Sequence, residues 1–502
     1  MNTTGRIAAF GAGVALIVGT LSTVPRIGAQ GAAAENIILG RPTADSITVH
    51  ALAEAGAEVF VEYGGQPGNH VHRTGSVEAS ADNTAEVTIE ALQSNSRYFY
   101  RVNYRGAGDA EFRAGDEHSF HTQRPPGSTF TFGVQGDSHP ERTETMYHPD
   151  LYARTMEQVA SARPDLYFML GDDFNVSRLV ADYFQGDREI LTRHVVDDVY
   201  LDQRGFLGIM AHSTALFPVI GNHEEARRNL LGTVLHDVAI FTGNARVRWL
   251  PLPAPDDFYT GNPEPVEGIG LLRDYFAFTW GDALFVVLDP YWHSPVAINP
   301  VGRGGMAMGT GTSPPWGEIE EAWLELALPE DDRWQATMGE RQYQWLKETL
   351  EGSDAKYKFV FAHHVLGTGR GGIERAHSYE WGGHGEDGTW DFDERRPGWE
   401  LPVHHLMVEN GVTIFFQGHD HLFAHQELGG VVYQTAPNPA DDRYLGRNKQ
   451  SYLSGTVLDN SGYLNVTVAP EGVTVDYIRS WLPEDEVDGR VQGEVAYSYT
   501  VN

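Results

Sequence analysis

FFQGHDHLFAHQ (residues 415–426) places His419 and His421 two residues apart, directly behind an apolar run that Gly418 ends. In an extended chain, side chains at i and i+2 point to the same face. The doublet therefore aims two imidazole nitrogens at nearly one spot, where a buried strand gives out. Taken alone it also fits a polar strand end, so its meaning rests on the rest of the chain.

Four other stretches repeat the pattern. FTFGVQGDSH (130–139) offers Asp137 and His139, again two apart. LYFMLGDDF (166–174) offers Asp172, and LFPVIGNHEE (216–225) offers Asn222 and His223. KFVFAHHV (358–365) offers His363 and His364. Each motif is weak by itself; all five in this order, each behind an apolar run, form a strong signal. Helical patterns lie between some of them. In YQWLKETLEG (343–352), Tyr343, Leu346 and Leu350 share a face and Gly352 stops it. YFAFTWGDALFVVLDP (275–290) reads as a hairpin turning at Gly281-Asp282. Buried strands alternating with helices imply a layered α/β domain with function at the strand ends.

Composition narrows the chemistry. The 502-residue chain is 41% hydrophobic and rich in aromatics, as globular proteins are, and is long enough for two or three domains. It has 69 acidic against 36 basic residues, a net charge of −33. That field repels nucleic acid and anionic membranes, and no basic run breaks it, which argues against nucleic acid as a partner. A small anionic substrate remains compatible, because exposed charges are screened beyond roughly 8 Å while a bound metal acts locally. With no cysteine, disulfides, thiolate metal sites, thiol nucleophiles and a lipoprotein anchor are all excluded.

Along the chain, residues 1–34 read as a cleaved secretory signal. Arg6 precedes an uncharged stretch, Ile7 to Leu21, too short for a comfortable span, and small residues follow. The expected location is secreted or periplasmic, with no stable membrane anchor. Residues 36–123 carry short alternating runs (SITVHAL, AEVFVEYG, AEVTIEAL, RYFYRVNYRG) at sandwich-like spacing. QRPPGS (123–128) reads as a stiff linker. The α/β region spans 129–480, and 481–502 is a C-terminal β extension. GRGGMAMGTGTS (302–313) lacks the lysine of a phosphate-binding loop, and EIEEAWLELALPEDD (318–332) reads as a solvated helix.

The five strand-end motifs, over roughly 129–470, resemble the calcineurin-like metallophosphoesterases. LQSNSRYFYRV (92–102), with Tyr98 as corner tyrosine, resembles a fibronectin type III signature. Together they look like the purple-acid-phosphatase architecture. The implied fold is a four-layer β-sandwich flanked by helices, preceded by a small all-β fibronectin type III-like sandwich. The resemblance implies that Asp137, His139 and His421 hold one metal, that Asn222, His363 and His419 hold a second, and that Asp172 bridges them. His363 is preferred to His364 because the family's ligand directly follows the strand, although Val365 stands where that family has proline.

The ligand chemistry supports this independently. Imidazole, carboxylate and amide donors suit divalent Zn, Mn, Fe or Ni better than Ca. Two ions about 3.5–4 Å apart clamp the attacking and leaving oxygens of an in-line displacement and supply a bridging hydroxide near neutrality. The expected activity is hydrolysis of phosphate monoesters or diesters, with His223 as general acid and either Asp173 or Glu224 orienting it. Asn175 occupies the position where purple enzymes carry a tyrosine ligand, so a tyrosinate chromophore is not expected. The long segment 367–402 is expected to cover the site, with Arg370, His384 and Trp390 as candidate substrate contacts. His404, His405 and His212 are read as structural or supporting. Two rivals are the same centre acting on sulfate esters or phosphotriesters, and a non-catalytic cell-surface binding protein.

Overall fold

The five apolar runs form parallel strands, and they belong to two sheets. The structure, a computed structural model, describes residues 35–502 apart from 144, 188, 297, 299–331 and 366–368. The expected signal segment 1–34 and the segment 302–313 therefore lie outside the described residues, as does all of 318–332 except Asp332. Strands Phe130–Gln135, Leu166–Met169 and Ala215–Pro218 pair in parallel within a nine-stranded sheet. Strands Tyr357–Phe361 and Ile414–Gln417 pair in parallel within an eight-stranded sheet.

The sheets face each other through aromatic side chains, since every strand here is buried on both faces. Phe132, Phe168 and Phe217 meet Phe285, Phe361 and Phe416; the Phe168 and Phe361 rings stack with centroids 4.1 Å apart. Helices Pro149–Ala162, Arg193–Ala211 and His236–Trp249 cover the outer face of the nine-stranded sheet. Helices Glu340–Glu351 and Val403–Glu409 cover the other sheet. The result is four layers, helix–sheet–sheet–helix. Glu340–Glu351 buries Tyr343, Leu346 and Leu350, the face anticipated from its spacing. The hairpin joins Phe276–Trp280 to Ala283–Val287, and Gly281 takes the positive φ (+58°) its turn requires.

The N-terminal strands do not stand apart. Glu35–Gly40, Ile47–Leu52 and Thr84–Ile89 extend the nine-stranded sheet, joined by the parallel pairing of Leu39 with Ala215. A second sheet, built mainly on Glu58–Gly64, Arg97–Arg105 and His118–His121, packs on them around Val49, Val59, Tyr100 and Phe120. The Tyr98 hydroxyl accepts from the Gln93 N–H at 2.9 Å. Strand Val495–Val501 forms the opposite edge of the nine-stranded sheet.

Candidate metal centre

All five strands end on the same side, so their following turns meet between the sheets. The convergence leaves no room for a side chain on the turn glycines. A Cβ on Gly221 would lie 2.3 Å from Asp172 Oδ1, and one on Gly418 would lie 2.5 Å from Asp137 Oδ1. Four of the seven anticipated ligands adopt left-handed backbone: His139, Asp172, His419 and His421, with φ between 52° and 66°. Such conformations cost about 1–3 kcal/mol each and cluster where function holds them.

This corrects the expectation for the His419/His421 doublet. The strand stops at Gln417, so the two histidines sit on a turn and their alternation is lost. They diverge into neighbouring clusters. His421 Nε2 lies 3.0 Å from Asp137 Oδ2 and 3.1 Å from His139 Nε2. His419 Nδ1 lies 3.1 Å from His363 Nε2, which lies 3.1 Å from Asn222 Oδ1. Between the clusters, Asp172 Oδ2 is 3.2 Å from His363 Nε2 and 3.7 Å from His139 Nε2. Asp137 also reaches both sides, 4.0 Å from His363 Nε2.

The donor set fits two cations. Each carboxylate has one oxygen tied to a backbone N–H: Asp137 Oδ1 accepts from His419 N (2.6 Å) and Asp172 Oδ1 from His223 N (2.8 Å). The other oxygen is thereby aimed inward, and the buried Asp137 Oδ2 has no hydrogen-bond partner. His363 uses Nδ1 on the Leu170 carbonyl (2.7 Å) and His139 uses Nδ1 on Glu141 Oε1 (3.0 Å), so both present Nε2. The electrostatics also call for positive charge. Burial opposes ionising His139, yet Glu141 and Asp137 push it up to about 9. Asp172 and Asp137 likewise overcome burial to raise His363 to about 10. Burial would raise Asp137, but His363 and His421 hold it well below the usual carboxylate range.

His223 stands at the rim. Its Nε2 is 3.9 Å from Asp172 Oδ2 and 3.5 Å from an Arg142 terminal nitrogen. A cation bound to that nitrogen would sit against the guanidinium, so His223 is poorly placed as a ligand. Burial, with further lowering by His139 and Arg142, depresses His223 to about 4 against the pull of Asp172. Neither proposed orienting residue touches its ring. Asp173 Oδ1 accepts from Gln135 and Ser138, while Glu224 accepts from the N–H groups of Asp173, Phe174 and Gly221. These carboxylates stitch the strand-end turns together.

The covering segment divides. Arg370 lies beside the centre, its guanidinium on the His419 carbonyl and 3.3 Å from Asp420 Oδ1. Asp420, between the two histidines, also takes the Gly371 N–H (2.9 Å) and the Tyr452 hydroxyl (2.6 Å), anchoring the segment. His384 and Trp390 instead pack on each other at 5.2 Å, with bonds to His377, Gly382 and Asp393. Trp390 also packs on Phe392 and His405, and among the described residues neither side chain touches an anticipated ligand. Within the segment, Trp381, Phe392 and Trp399 enter the core, as its aromatic content suggests. His404 bonds the Tyr433 hydroxyl (2.8 Å) and lies away from the centre.

Three neighbours went unforeseen. Glu141 and Arg142 lie in HPER, just past a ligand, where a search within three residues of each candidate would find them. Tyr291, in LDPYW after strand Ala283–Val287, packs on His363 and His364 at 6.1 and 5.5 Å. Its buried hydroxyl has no partner. A sixth strand end was the available clue.

No family model and no curated protein matches this sequence. Solved structures do. The chain is similar to PhoD (TM-score 0.60, 16% identity, 92% of this chain and 89% of that one). It is also similar to purple acid phosphatase PPD1 from yellow lupin (Lupinus luteus) seeds, with TM-score 0.58, 14% identity, and 93% and 74% coverage. The α/β fold of this chain is thus the fold of these two solved structures over nearly its whole length.

Proposed function

We propose that this chain is a secreted or periplasmic phosphoesterase that holds two divalent transition ions and hydrolyses monoesters or diesters of small molecules. Asp137, His139 and His421 hold one ion, Asn222, His363 and His419 the other, and Asp172 bridges. The observation that carries this reading is the inward aim of Asp137 Oδ2 and Asp172 Oδ2, each fixed by a backbone bond to its partner oxygen. Bound there, the ions supply Lewis acidity and an activated water. The chain's own groups do the rest.

Glu141 and the Leu170 carbonyl fix the tautomers of His139 and His363. Arg370 contributes a fixed positive charge toward substrate oxygens. His223 is placed to serve the departing oxygen; a bound phosphate opposes the depression of its pKa, while cations beside it would add to that depression. We read the N-terminal β-sandwich as a fibronectin type III-like spacer, because no titratable cluster of the kind seen at the strand ends lies within it. Among the described residues no helix is long and apolar enough to cross a membrane. The test is to measure metal content alongside rates on an aryl phosphate, a bis-aryl phosphate and an aryl sulfate. Phosphate ester turnover with two ions supports the proposal. Sulfate turnover alone, or two ions without any turnover, overturns it in favour of the rivals.

A further inference from the structure

Arg142 has the geometry of a substrate clamp. Its Nε donates to Glu141 Oε1 at 3.0 Å, and the same oxygen holds His139 Nδ1 at 3.0 Å. One carboxylate therefore fixes both a metal ligand and the guanidinium, so the two move together. One terminal nitrogen lies 3.3 Å from Met146 Sδ; the other faces His223 at 3.5 Å. Among the described residues neither terminal nitrogen meets a carboxylate, and the side chain is 34% exposed. The loop is braced from behind: the Arg142 carbonyl accepts from Thr145, Met146 and Tyr147 N–H groups, and Arg447, whose own N–H bonds the His421 carbonyl, donates to the Thr145 carbonyl. A positive fork is thus held rigidly at the rim of the centre in a chain of net charge −33.

We propose that Arg142 hydrogen-bonds terminal phosphoryl oxygens and makes this site prefer phosphate monoesters to diesters. The inference rests on the two-ion phosphoesterase reading above. The two ester classes differ in their terminal oxygens. A monoester has three terminal oxygens, so with two engaged by the ions a third faces the guanidinium. A diester has only two, and its third position carries an alkyl or aryl group. Opposite that group, Arg142 loses a charge-assisted hydrogen bond and is left with a poorly solvated donor. Arginine suits the role because its fork is planar and stays charged at every working pH.

The test uses the full-chain, metal-loaded protein with 4-nitrophenyl phosphate and bis(4-nitrophenyl) phosphate, which share a leaving group. Inorganic phosphate binding and metal content are measured in parallel. Arg142→Ala should lose about 10²-fold in kcat/KM on the monoester but less than about 3-fold on the diester. It should keep both ions and bind inorganic phosphate about 10-fold more weakly. Arg142→Lys should recover part of the monoester rate, since charge returns without the fork. Equal losses on both esters, or unaltered phosphate binding in Arg142→Ala, would overturn the proposal. A wild-type protein that cleaves neither ester, yet loses phosphate binding on Arg142→Ala, would overturn the phosphoesterase reading and keep Arg142 as an anion clamp.

Discussion

Two knots of buried polar groups lie along the nine-stranded sheet, and they end differently. At the seam between the N-terminal strands and the helices, the buried Arg204 meets an acceptor for every N–H it has. Nε donates to Asn36 Oδ1 (3.0 Å), one terminal nitrogen to the Trp249 carbonyl and His50 Nδ1, and the other to the Asn36 (2.7 Å) and His50 (3.3 Å) carbonyls. At the strand ends, by contrast, carboxylate oxygens and imidazole nitrogens crowd within about 3 Å of one another, and the buried Asp137 Oδ2 is left without a hydrogen-bond partner. Burying polar groups costs free energy unless they are paired. A knot that satisfies itself is architecture, whereas one that aims its lone pairs inward is built for a cation.

The contrast can be broken at either end. The largest effect should follow Asp172→Ala, because that carboxylate touches both clusters. Metal analysis should show loss of both ions, with activity down about 10³-fold or more, while thermal unfolding stays cooperative. Retention of two ions would assign the bridge to Asp137, which also reaches both sides.

Arg204→Ala should do the reverse. Stranding its buried acceptors should destabilise the protein by about 3 kcal/mol or more, read by denaturant unfolding, with metal content unchanged in the folded fraction. A loss below about 0.5 kcal/mol would mean the seam tolerates an open knot as readily as the centre does.

A pH dependence belongs to the same seam. Burial first, then Arg204, lowers the His50 pKa from its usual 6.5 to about 3. The unfolded chain therefore binds the extra proton between those values, so His50 contributes stability above pH 6.5 that is lost as pH falls toward 3. At pH 4 the deficit is about 3 kcal/mol, an upper figure that His50→Gln should largely remove from the difference between pH 7 and pH 4. Identical pH profiles in the two proteins would show that His50 titrates normally.

The smallest effects concern the covering segment. Arg370→Ala should raise KM for charged phosphates about 10-fold with metal content intact. His384→Ala and Trp390→Ala should change kinetics less than about 2-fold, since their contacts stay within the segment and its helices. Larger kinetic effects from Trp390 than from Arg370 would show that the outer half of the segment closes on substrate.

The contrast also explains what the sequence made legible. Strand ends are written locally, as an apolar run followed by a polar cluster, with Gly between them in four of the five, so the seven anticipated ligands and the helix at Glu340–Glu351 stood out. The left-handed turn that parts His419 from His421 did not, because residue identity alone does not reveal φ; their division between two ions followed only from the family resemblance. The tie between Asp137 Oδ1 and His419 N joins residues far apart in the chain and leaves no local pattern. The same holds for Leu39 pairing with Ala215, which fuses two regions that composition separates. His384 and Trp390 looked like site residues because they are aromatic and polar in a long loop; packing against each other satisfies those same properties.

Whether two ions share Asp172 is decided by anomalous scattering from metal-loaded crystals of the full chain. Two peaks about 3.5–4 Å apart are expected, one among Asp137, His139 and His421, the other among Asn222, His363 and His419, both within bonding distance of Asp172. A single peak in active protein, or a peak bonded to His223 or His364 in place of these ligands, would contradict it.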